Sequence, residues 1–113
     1  MKISWWNCNL GDNAAKNASY AIVNRYLSDG DITNQLEKEI CRILGSKYCL
    51  VTTSGTSALL LSLIALGINK TSNVILPSCS WISTANAPSL LGCQLRFTDV
   101  DPRTGLLNLN EIE

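Results

Sequence analysis

Apolar positions spaced three or four residues apart predict two helices in the first half of the chain. The first helix begins after Asp12, a residue suited to capping a helix N-terminus. The second follows a polar turn, "SDGD", and ends at Gly45, where a left-handed residue is expected. The apolar faces consist of Ala15, Ala18, Ile22 and Tyr26 in the first helix and of Ile32, Leu36, Ile40, Ile43 and Leu44 in the second.

The second half of the chain alternates between short β-rich runs and helical segments. Strands are predicted over residues 48–53, 73–77 and 94–100, and helices from residue 57 to Gly67 and from about Ser80 to Leu91. If the last helix begins near Ser83, Pro88 lies at the end of its first turn, where the loss of a backbone donor is tolerable. If the helix begins earlier, Pro88 should kink it. The order strand, helix, strand, helix, strand predicts an α/β fold with parallel strands.

Length and charge narrow the class of protein. The 113 residues suffice for one domain with one core, and the formal net charge is zero. A neutral chain gives no indication of a nucleic-acid or membrane partner. The longest apolar run, residues 58–66, is too short to cross a bilayer, and the N-terminus has no apolar signal segment. We expect a cytoplasmic protein.

The cysteine pattern argues against a disulfide framework and against a metal site. The chain has five cysteines and no histidine. The number is odd, and no pair has the C-x-x-C spacing of zinc or redox motifs. We expect free thiols that pack as small apolar residues. Without histidine, neither Ser-His nor Cys-His catalysis is available to this chain.

One polar turn stands where a strand is predicted to enter a helix. Residues Ser54, Gly55, Thr56 and Ser57 precede the apolar segment "ALLLSLIALG". The first amides of a helix lack partners inside the helix, and the helix dipole favours an anion there. Small residues and hydroxyl donors at this place suit a phosphate, although neither the P-loop nor the G-x-G-x-x-G motif is present. Simple N-capping by Ser54 or Thr53 is the alternative.

A second loop, "SCSWIS", follows the next predicted strand. In α/β sheets, ligands bind beyond the carboxyl ends of the strands, so this loop and the polar turn both qualify. Its Trp81 either belongs to the core or presents a ring face to a planar ligand. An anion site beside an aromatic face would suit a ligand that is both phosphorylated and planar.

Four segments together resemble a known family. They are "LSDGDITNQLEKEI", "LGSKYCLVTTSGTSAL", "PSCSWISTANA" and "FTDVDPRTGLLNLNEIE", and they occur in the family's order and spacing. From about Tyr26 to Glu113, the chain resembles the N-terminal part of the PLP-dependent sugar aminotransferases, the DegT/DnrJ/EryC1/StrS family. The resemblance implies the N-terminal part of a fold-type I large domain, with three strands alternating with helices in an incomplete sheet.

The resemblance also implies a cofactor, pyridoxal 5'-phosphate, and residues that hold it. The family's Ser-Gly-Thr turn binds the phosphate, which implies Gly55 and Thr56 and, less directly, their neighbours. The aromatic residue of the second loop stacks on the pyridine ring. The loop before the second helix lies near the sugar-nucleotide substrate. The implied contacts are Ser54, Gly55, Thr56, Ser57 and Trp81 for the cofactor and Ser28 and Gly30 for the substrate.

The chain departs from the family in length. The family's catalytic lysine, the aspartate that pairs with the pyridine nitrogen and the small C-terminal domain all lie beyond the matched part. We therefore expect residues 1–113 to be a truncated N-terminal segment without catalytic residues, and whether the chain is itself an enzyme stays open. Its lysines, none of them in the family's catalytic context, are Lys2, Lys16, Lys38, Lys47 and Lys70.

The family's sheet order has a consequence for folding. The resemblance places residues 48–53 at one edge of a seven-stranded sheet and the next two strands at the other edge. Alone, residues 48–53 would have no strand partner, and each buried unpaired backbone group costs about 1–3 kcal/mol. We therefore expect the 113-residue chain to be marginally stable in isolation.

Three functions follow as hypotheses. The resemblance implies part of an aminotransferase that moves an amino group, from glutamate in our hypothesis, onto a nucleotide-linked keto sugar, with a homodimer as the complete enzyme. Within the family, a PLP-dependent sugar dehydratase is the alternative. Outside it, the chain is a small non-catalytic α/β binding module or a degenerate remnant in which the turn only caps a helix.

Overall fold

The chain folds into two compact units. The computed structural model describes residues 8–26 and 28–112, with one unit ending at Val51 and the other beginning at Thr52. The first unit holds α1 (Ala14–Val23) and α2 (Asp31–Leu44). The second holds α3 (Gly55–Ala65), β1 (Asn73–Pro77), α4 (Ser83–Leu90), β2 (Gln94–Thr98) and a 3₁₀ turn, Leu109–Glu111. The α/β class is confirmed.

The two predicted helices of the first unit are confirmed, although α1 ends at Val23 and Tyr26, predicted to lie on its apolar face, follows the helix. Helix α1 is capped by Asn13 rather than by Asp12, without a side-chain bond. Helix α2 ends at Gly45, whose φ of 65° is left-handed as expected, and its amide bonds to the Cys41 carbonyl. A residue with a Cβ would be strained in that conformation, which explains a glycine at this place.

The prediction of a strand over residues 48–53 is wrong. The segment has no strand geometry, and the Tyr48 and Leu50 side chains are 78% and 72% exposed. Its tie to the rest of the first unit is a 2.9 Å hydrogen bond from the Val51 amide to a Glu37 carboxylate oxygen. The lack of a strand partner for this segment, which the family's sheet order implied, is confirmed within the described residues. A β-rich sequence becomes a strand only when a neighbour accepts its backbone bonds.

The sheet of the second unit consists of two parallel strands. Asn73 faces Gln94 at one end of the ladder, and Pro77 faces Thr98 at the other. Pro77 has no amide to donate, and the ladder continues through a 2.8 Å bond from the Ser78 amide to the Thr98 carbonyl. Strand β2 is two residues shorter than predicted. The chain then turns at residues 101–105, closed by an isolated antiparallel bridge between Val100 and Leu107.

The small core of the second unit lies between the sheet and α4. Leu76, Ala87 and Cys93 are buried, and Pro88 is fully enclosed. Helix α4 begins at Ser83, which satisfies the condition that Pro88 imposed. The missing Pro88 amide costs one hydrogen bond two residues before the helix ends, where an interruption is tolerable. Helix α3 packs against α4.

Apolar surface remains uncovered on α3. The helix is apolar on nearly all sides, yet none of its residues is buried. Ile64 is 51% exposed and Leu66, at its C-cap, 75%. Such surface is worth about 25 cal/mol per Å² when removed from water, so α3 contributes less to the stability of this chain than its sequence allows. In the described part of the chain, no helix has the length and apolar character needed to cross a membrane.

The unpaired segment can be tested by hydrogen exchange. We expect the Leu50 amide to exchange at close to the unprotected rate, and the slowest amides of β1 and β2 to exchange at least about tenfold more slowly. The Val51 amide should be intermediate, because it has one acceptor, and Glu37→Ala should bring it to the Leu50 rate. Mass spectrometry or NMR gives the rates. Protection of Cys49 and Leu50 equal to that of the ladder would contradict the unpaired assignment.

Candidate functional site

The N-terminus of α3 leaves two backbone donors free. Ser54 is extended (φ −160°, ψ 158°) and caps the helix, its hydroxyl accepting from the Ser57 amide at 3.2 Å. The Ser54 carbonyl accepts the first helical bond, from the Ala58 amide at 3.0 Å. The amides of Gly55 and Thr56 have no acceptor among the described residues. Ser54, not Thr53, is thus the cap, and the next two amides remain available.

The electrostatics of this turn favour an anion. No acidic residue lies in the first turn of α3, and the free amides carry the positive end of the helix dipole. A Cβ built on Gly55 would meet no atom within 4 Å, so the space beside these amides is open. Free donors, a favourable dipole and open space are what a phosphate group requires.

Hydroxyl groups surround the two free amides. The Ser54 and Ser57 hydroxyls bond to each other at 3.0 Å, while the Thr56 hydroxyl bonds to that of Ser83 at 2.7 Å. Ser54 therefore shares its oxygen between a capping bond and a hydroxyl bond. The Ser57 and Thr56 hydroxyls each bond to one other hydroxyl, but Thr56 alone of the two also has an amide without an acceptor among the described residues, so it could offer an anion both groups.

Trp81 lies in the loop that follows β1 and is not part of the core. Its side chain is 68% exposed. The turn around it is held by a 3.0 Å bond from the Thr84 amide to the Trp81 carbonyl and by a 2.9 Å bond between the Ser80 and Thr84 hydroxyls. The indole borders a cavity of about 130 Å³ with apolar walls at the carboxyl ends of both strands, formed in part by Leu76, Pro77, Ile82 and Phe97.

The hydroxyl pair of Thr56 and Ser83 joins the polar turn to the tryptophan loop. Ser83 is two residues beyond Trp81, so their Cα atoms lie within about 7 Å. Ser83 is 8% exposed and Thr56 is half-buried, so this bond is partly shielded from solvent. The structure thus brings together two of the predicted places, the turn at residues 54–57 and the loop of Trp81.

Sequence reasoning missed Ser83 as a member of this site. The sequence places this residue at the end of the second loop and as a possible start of α4, but it does not indicate a contact with the polar turn. The signal available in the sequence is a small polar residue at the predicted start of a helix. Its burial is known only from the structure. Which hydroxyl it meets depends on how α3 packs on α4, and periodicity does not contain that information.

The predicted substrate residues belong to the first unit. Ser28 is exposed in the bend before α2, and Gly30, at the N-cap of α2, is half-buried with an extended φ of 168°. Their predicted contact with a sugar nucleotide stays a prediction.

The second unit has a single lysine, and it lies at the opposite end of β1 from the two loops. Lys70 precedes β1 and approaches Gly92, at the end of α4: a Cβ on Gly92 would lie 3.3 Å from the Lys70 Cβ. The four steps from Asn73 to Pro77, at about 3.3 Å each, put about 13 Å between the two ends of the strand. Lys70 is therefore at the wrong end of the sheet to act on a ligand beside Thr56 or Trp81.

One of the cysteines has a thiol whose surroundings alter its pKa. All five are free. Cys49, in the first unit, borders a cavity of about 300 Å³. Partial burial, followed by the charges of Cys41 and Glu37, raises the pKa of the Cys49 thiol. A raised pKa reduces the thiolate fraction at neutral pH and with it the reactivity of the group.

The fold is similar to that of solved aminotransferases and of a dehydratase. An aminotransferase from Psychrobacter cryohalolentis is 26% identical and superposes with a TM-score of 0.82 over 97% of this chain and 28% of its own. A DegT DnrJ EryC1 StrS aminotransferase from Brucella abortus is 25% identical and superposes with a TM-score of 0.75 over 94% of this chain and 31% of its own. The E. coli GDP-4-keto-6-deoxy-D-mannose-3-dehydratase, which was solved with bound hydrated PLP, is 24% identical with a TM-score of 0.78, over 93% of this chain and 29% of its own.

The match covers nearly all of this chain but only part of each relative. The chain spans less than a third of the length of each of these proteins. The model of the DegT/DnrJ/EryC1/StrS aminotransferase family matches residues 9–113, which is nearly all of the chain and includes both loops of the candidate site. The chain therefore belongs to the DegT/DnrJ/EryC1/StrS aminotransferase family.

Proposed function

We propose that this chain supplies the phosphate-binding turn and the ring-stacking residue of a pyridoxal 5'-phosphate site. The observation that carries the proposal is the pair of free amides on Gly55 and Thr56, tied by a 2.7 Å hydroxyl bond to the loop of the exposed Trp81. Family membership supports the identity of the ligand, because a phosphate and a flat ring are the two features that these loops suit.

The residues present fit this cofactor. The phosphate would lie against the amides of Gly55 and Thr56 and the Thr56 hydroxyl, with the hydroxyls of Ser54 and Ser57 as weaker contacts, since they already bond to each other. The indole of Trp81 would lie against the pyridine ring and keep water from one of its faces. When bound, pyridoxal phosphate supplies the electron sink that the reaction requires. The residues of this chain bind and orient the cofactor.

We propose that the enzyme to which this segment contributes acts on a nucleotide-linked keto sugar. The E. coli relative named above is an enzyme of a GDP-linked keto sugar. Ser28 and Gly30 are the proposed substrate contacts of this chain, glutamate is the proposed amino donor, and a homodimer is the proposed assembly. The exposed apolar surface of α3 supports a role within a larger structure.

Aminotransfer is the first candidate reaction and dehydration the second. A specific observation keeps the second open: the solved relatives with this fold include a dehydratase as well as aminotransferases. Gly55, Thr56 and Trp81 would serve both reactions alike, because they hold the phosphate and the ring rather than the reacting carbon. The non-catalytic alternative, in which the turn only caps a helix, uses the same Ser54 bond. Cofactor binding separates it from the other two.

Replacing Gly55 tests the phosphate site. Gly55→Pro removes one free amide but preserves α3, because proline suits the first helical position and Ser54 already has the extended backbone that must precede it. The probe is pyridoxine 5'-phosphate, which lacks the aldehyde and so cannot form a Schiff base with a lysine. We expect its dissociation constant to rise about tenfold or more. Calorimetry gives the constant and circular dichroism the helix content.

Gly55→Ala is the matched control. It retains the amide and adds a Cβ in open space, so the affinity should stay within about threefold of the parent. If Gly55→Pro folded and bound as tightly as Gly55→Ala, the turn would be a helix cap without a ligand.

Substitutions of Trp81 test the ring contact. Trp81→Phe retains a flat face, whereas Trp81→Leu is apolar without one. Because an aromatic pair is worth about 0.5–1.5 kcal/mol beyond its buried area, we expect Trp81→Leu to weaken pyridoxine 5'-phosphate binding about fivefold to tenfold and Trp81→Phe by much less. The exposed position predicts little change in unfolding midpoint. Equal affinity of all three proteins would refute stacking.

The 113-residue chain by itself should be inactive. Lys70, the lysine of the second unit, precedes β1, and the loop of Trp81 follows the other end of that strand, about 13 Å away from its start. We expect no amino sugar and no 2-oxo acid above the protein-free rate when the chain is incubated with pyridoxal phosphate, glutamate and a nucleotide-linked keto sugar and the products are analysed by mass spectrometry. Turnover that Lys70→Ala abolishes would overturn the assignment of Lys70 as distant from the site.

A further inference from the structure

The Ser83 hydroxyl is buried and has one bonding partner in the described structure, the hydroxyl of Thr56 at 2.7 Å. The two residues are 27 positions apart and stand on the first turns of α4 and α3. Each helix is anchored by its own backbone bonds, and the two helices pack together. The two oxygens are therefore held at a fixed separation by the fold rather than by neighbouring chain.

The direction of this bond decides what Thr56 can do. A hydroxyl has one hydrogen to donate and two lone pairs to accept with. If Thr56 donated to Ser83, it could offer an anion only lone pairs, which repel it. If Ser83 donates to Thr56, the Thr56 hydrogen is free to point towards an anion beside the Gly55 and Thr56 amides.

A phosphate at the turn would select the second direction. When the Thr56 hydroxyl donates to a negatively charged oxygen, its own oxygen becomes more negative and accepts the Ser83 hydrogen more strongly. Charge-assisted bonds of this kind are about twice as strong as neutral ones. With a phosphate bound, the two hydroxyls would form a chain of hydrogen bonds in which Ser83 donates to Thr56 and Thr56 donates to the ligand. Ser83 itself would not contact the ligand.

We propose that Ser83 is a positioning residue of the cofactor site: its hydroxyl donates to Thr56 and so turns the Thr56 hydrogen towards the cofactor phosphate. This inference rests on the proposed function of residues 54–57. It adds that phosphate affinity depends on a residue of the tryptophan loop, so that the packing of α4 on α3 is part of the phosphate site.

The test is a double-mutant cycle read with two ligands. The probes are pyridoxine 5'-phosphate and pyridoxine, which differ only in the phosphate. The variants are Ser83→Ala, Thr56→Val and the double mutant, each as the 113-residue chain, with Ser83→Cys as a variant that keeps the size of the buried side chain but donates weakly. Ser89→Ala, an exposed serine at the other end of α4, is the matched control.

We expect Ser83→Ala to weaken pyridoxine 5'-phosphate binding about fivefold to tenfold, the scale of one hydrogen bond. Pyridoxine binding should change less than twofold, and Ser89→Ala should match the parent with both ligands. In the Thr56→Val background, Ser83→Ala should have no further effect on phosphate affinity, because the hydroxyl through which it acts is gone. Ser83→Cys should also weaken pyridoxine 5'-phosphate binding, to an extent closer to Ser83→Ala than to the parent.

Each other outcome overturns the inference. A loss that is equal for both ligands, or that persists in full in the Thr56→Val background, would make Ser83 a packing residue only. If Ser83→Ala does not fold, Ser83→Cys takes its place in the test. A Ser83→Cys protein that folds and binds pyridoxine 5'-phosphate as tightly as the parent would also make Ser83 a packing residue only. If Thr56→Val and Gly55→Pro weaken binding while Ser83→Ala does not, the inference fails and the proposed function stands. If the parent binds both ligands equally, both fail together.

Discussion

The parallel pairing of β1 with β2 is the constraint on which the second unit depends. Because Pro77 faces Thr98 at one end of the ladder, the loop that carries Trp81 leaves the sheet beside the end of β2. Helix α4, in which Ala87 and Pro88 are buried, contacts both strands of this pair as well as α3. With α4 seated on the sheet, its first turn reaches α3, and Ser83 meets Thr56. The candidate site is thus a consequence of the ladder's direction.

Ligand chemistry at this site comes largely from backbone groups. The N-terminus of a helix has amides that its own hydrogen-bond pattern leaves unused, and Ser54 satisfies only the Ser57 amide. The remaining two amides have no acceptor among the described residues, and in the proposed site they would donate to an anion. In that proposal the small residues around them would give the ligand access, and the hydroxyls of Thr56 and Ser83 would add direction.

Residues 48–51 and α3 show what happens to strong local preferences when tertiary contacts are missing or incomplete. Residues 48–51 have the composition of a strand but form no regular secondary structure, and the Val51 amide bonds to Glu37. Helix α3 forms because its hydrogen bonds are internal, although its apolar surface stays exposed. Helices can form before their faces are covered, whereas strands require a neighbour for the backbone itself. This difference explains why all four helices were predicted correctly and one of three strands was not.

The sequence by itself determined the helices, the end of α2 at Gly45, the termination of β1 by Pro77 and the family, because these depend on local periodicity, on backbone restrictions and on motif order. It also singled out the turn at residues 54–57 and Trp81, since small polar residues before an apolar helix and an aromatic residue in a strand-end loop are local features. Only the tertiary structure decided that residues 48–53 form no strand, that the Trp81 side chain lies outside the core and that Ser83 reaches Thr56. Each of these depends on which elements come into contact in space, and residues that are 27 positions apart carry no mark of that contact in the order of the chain.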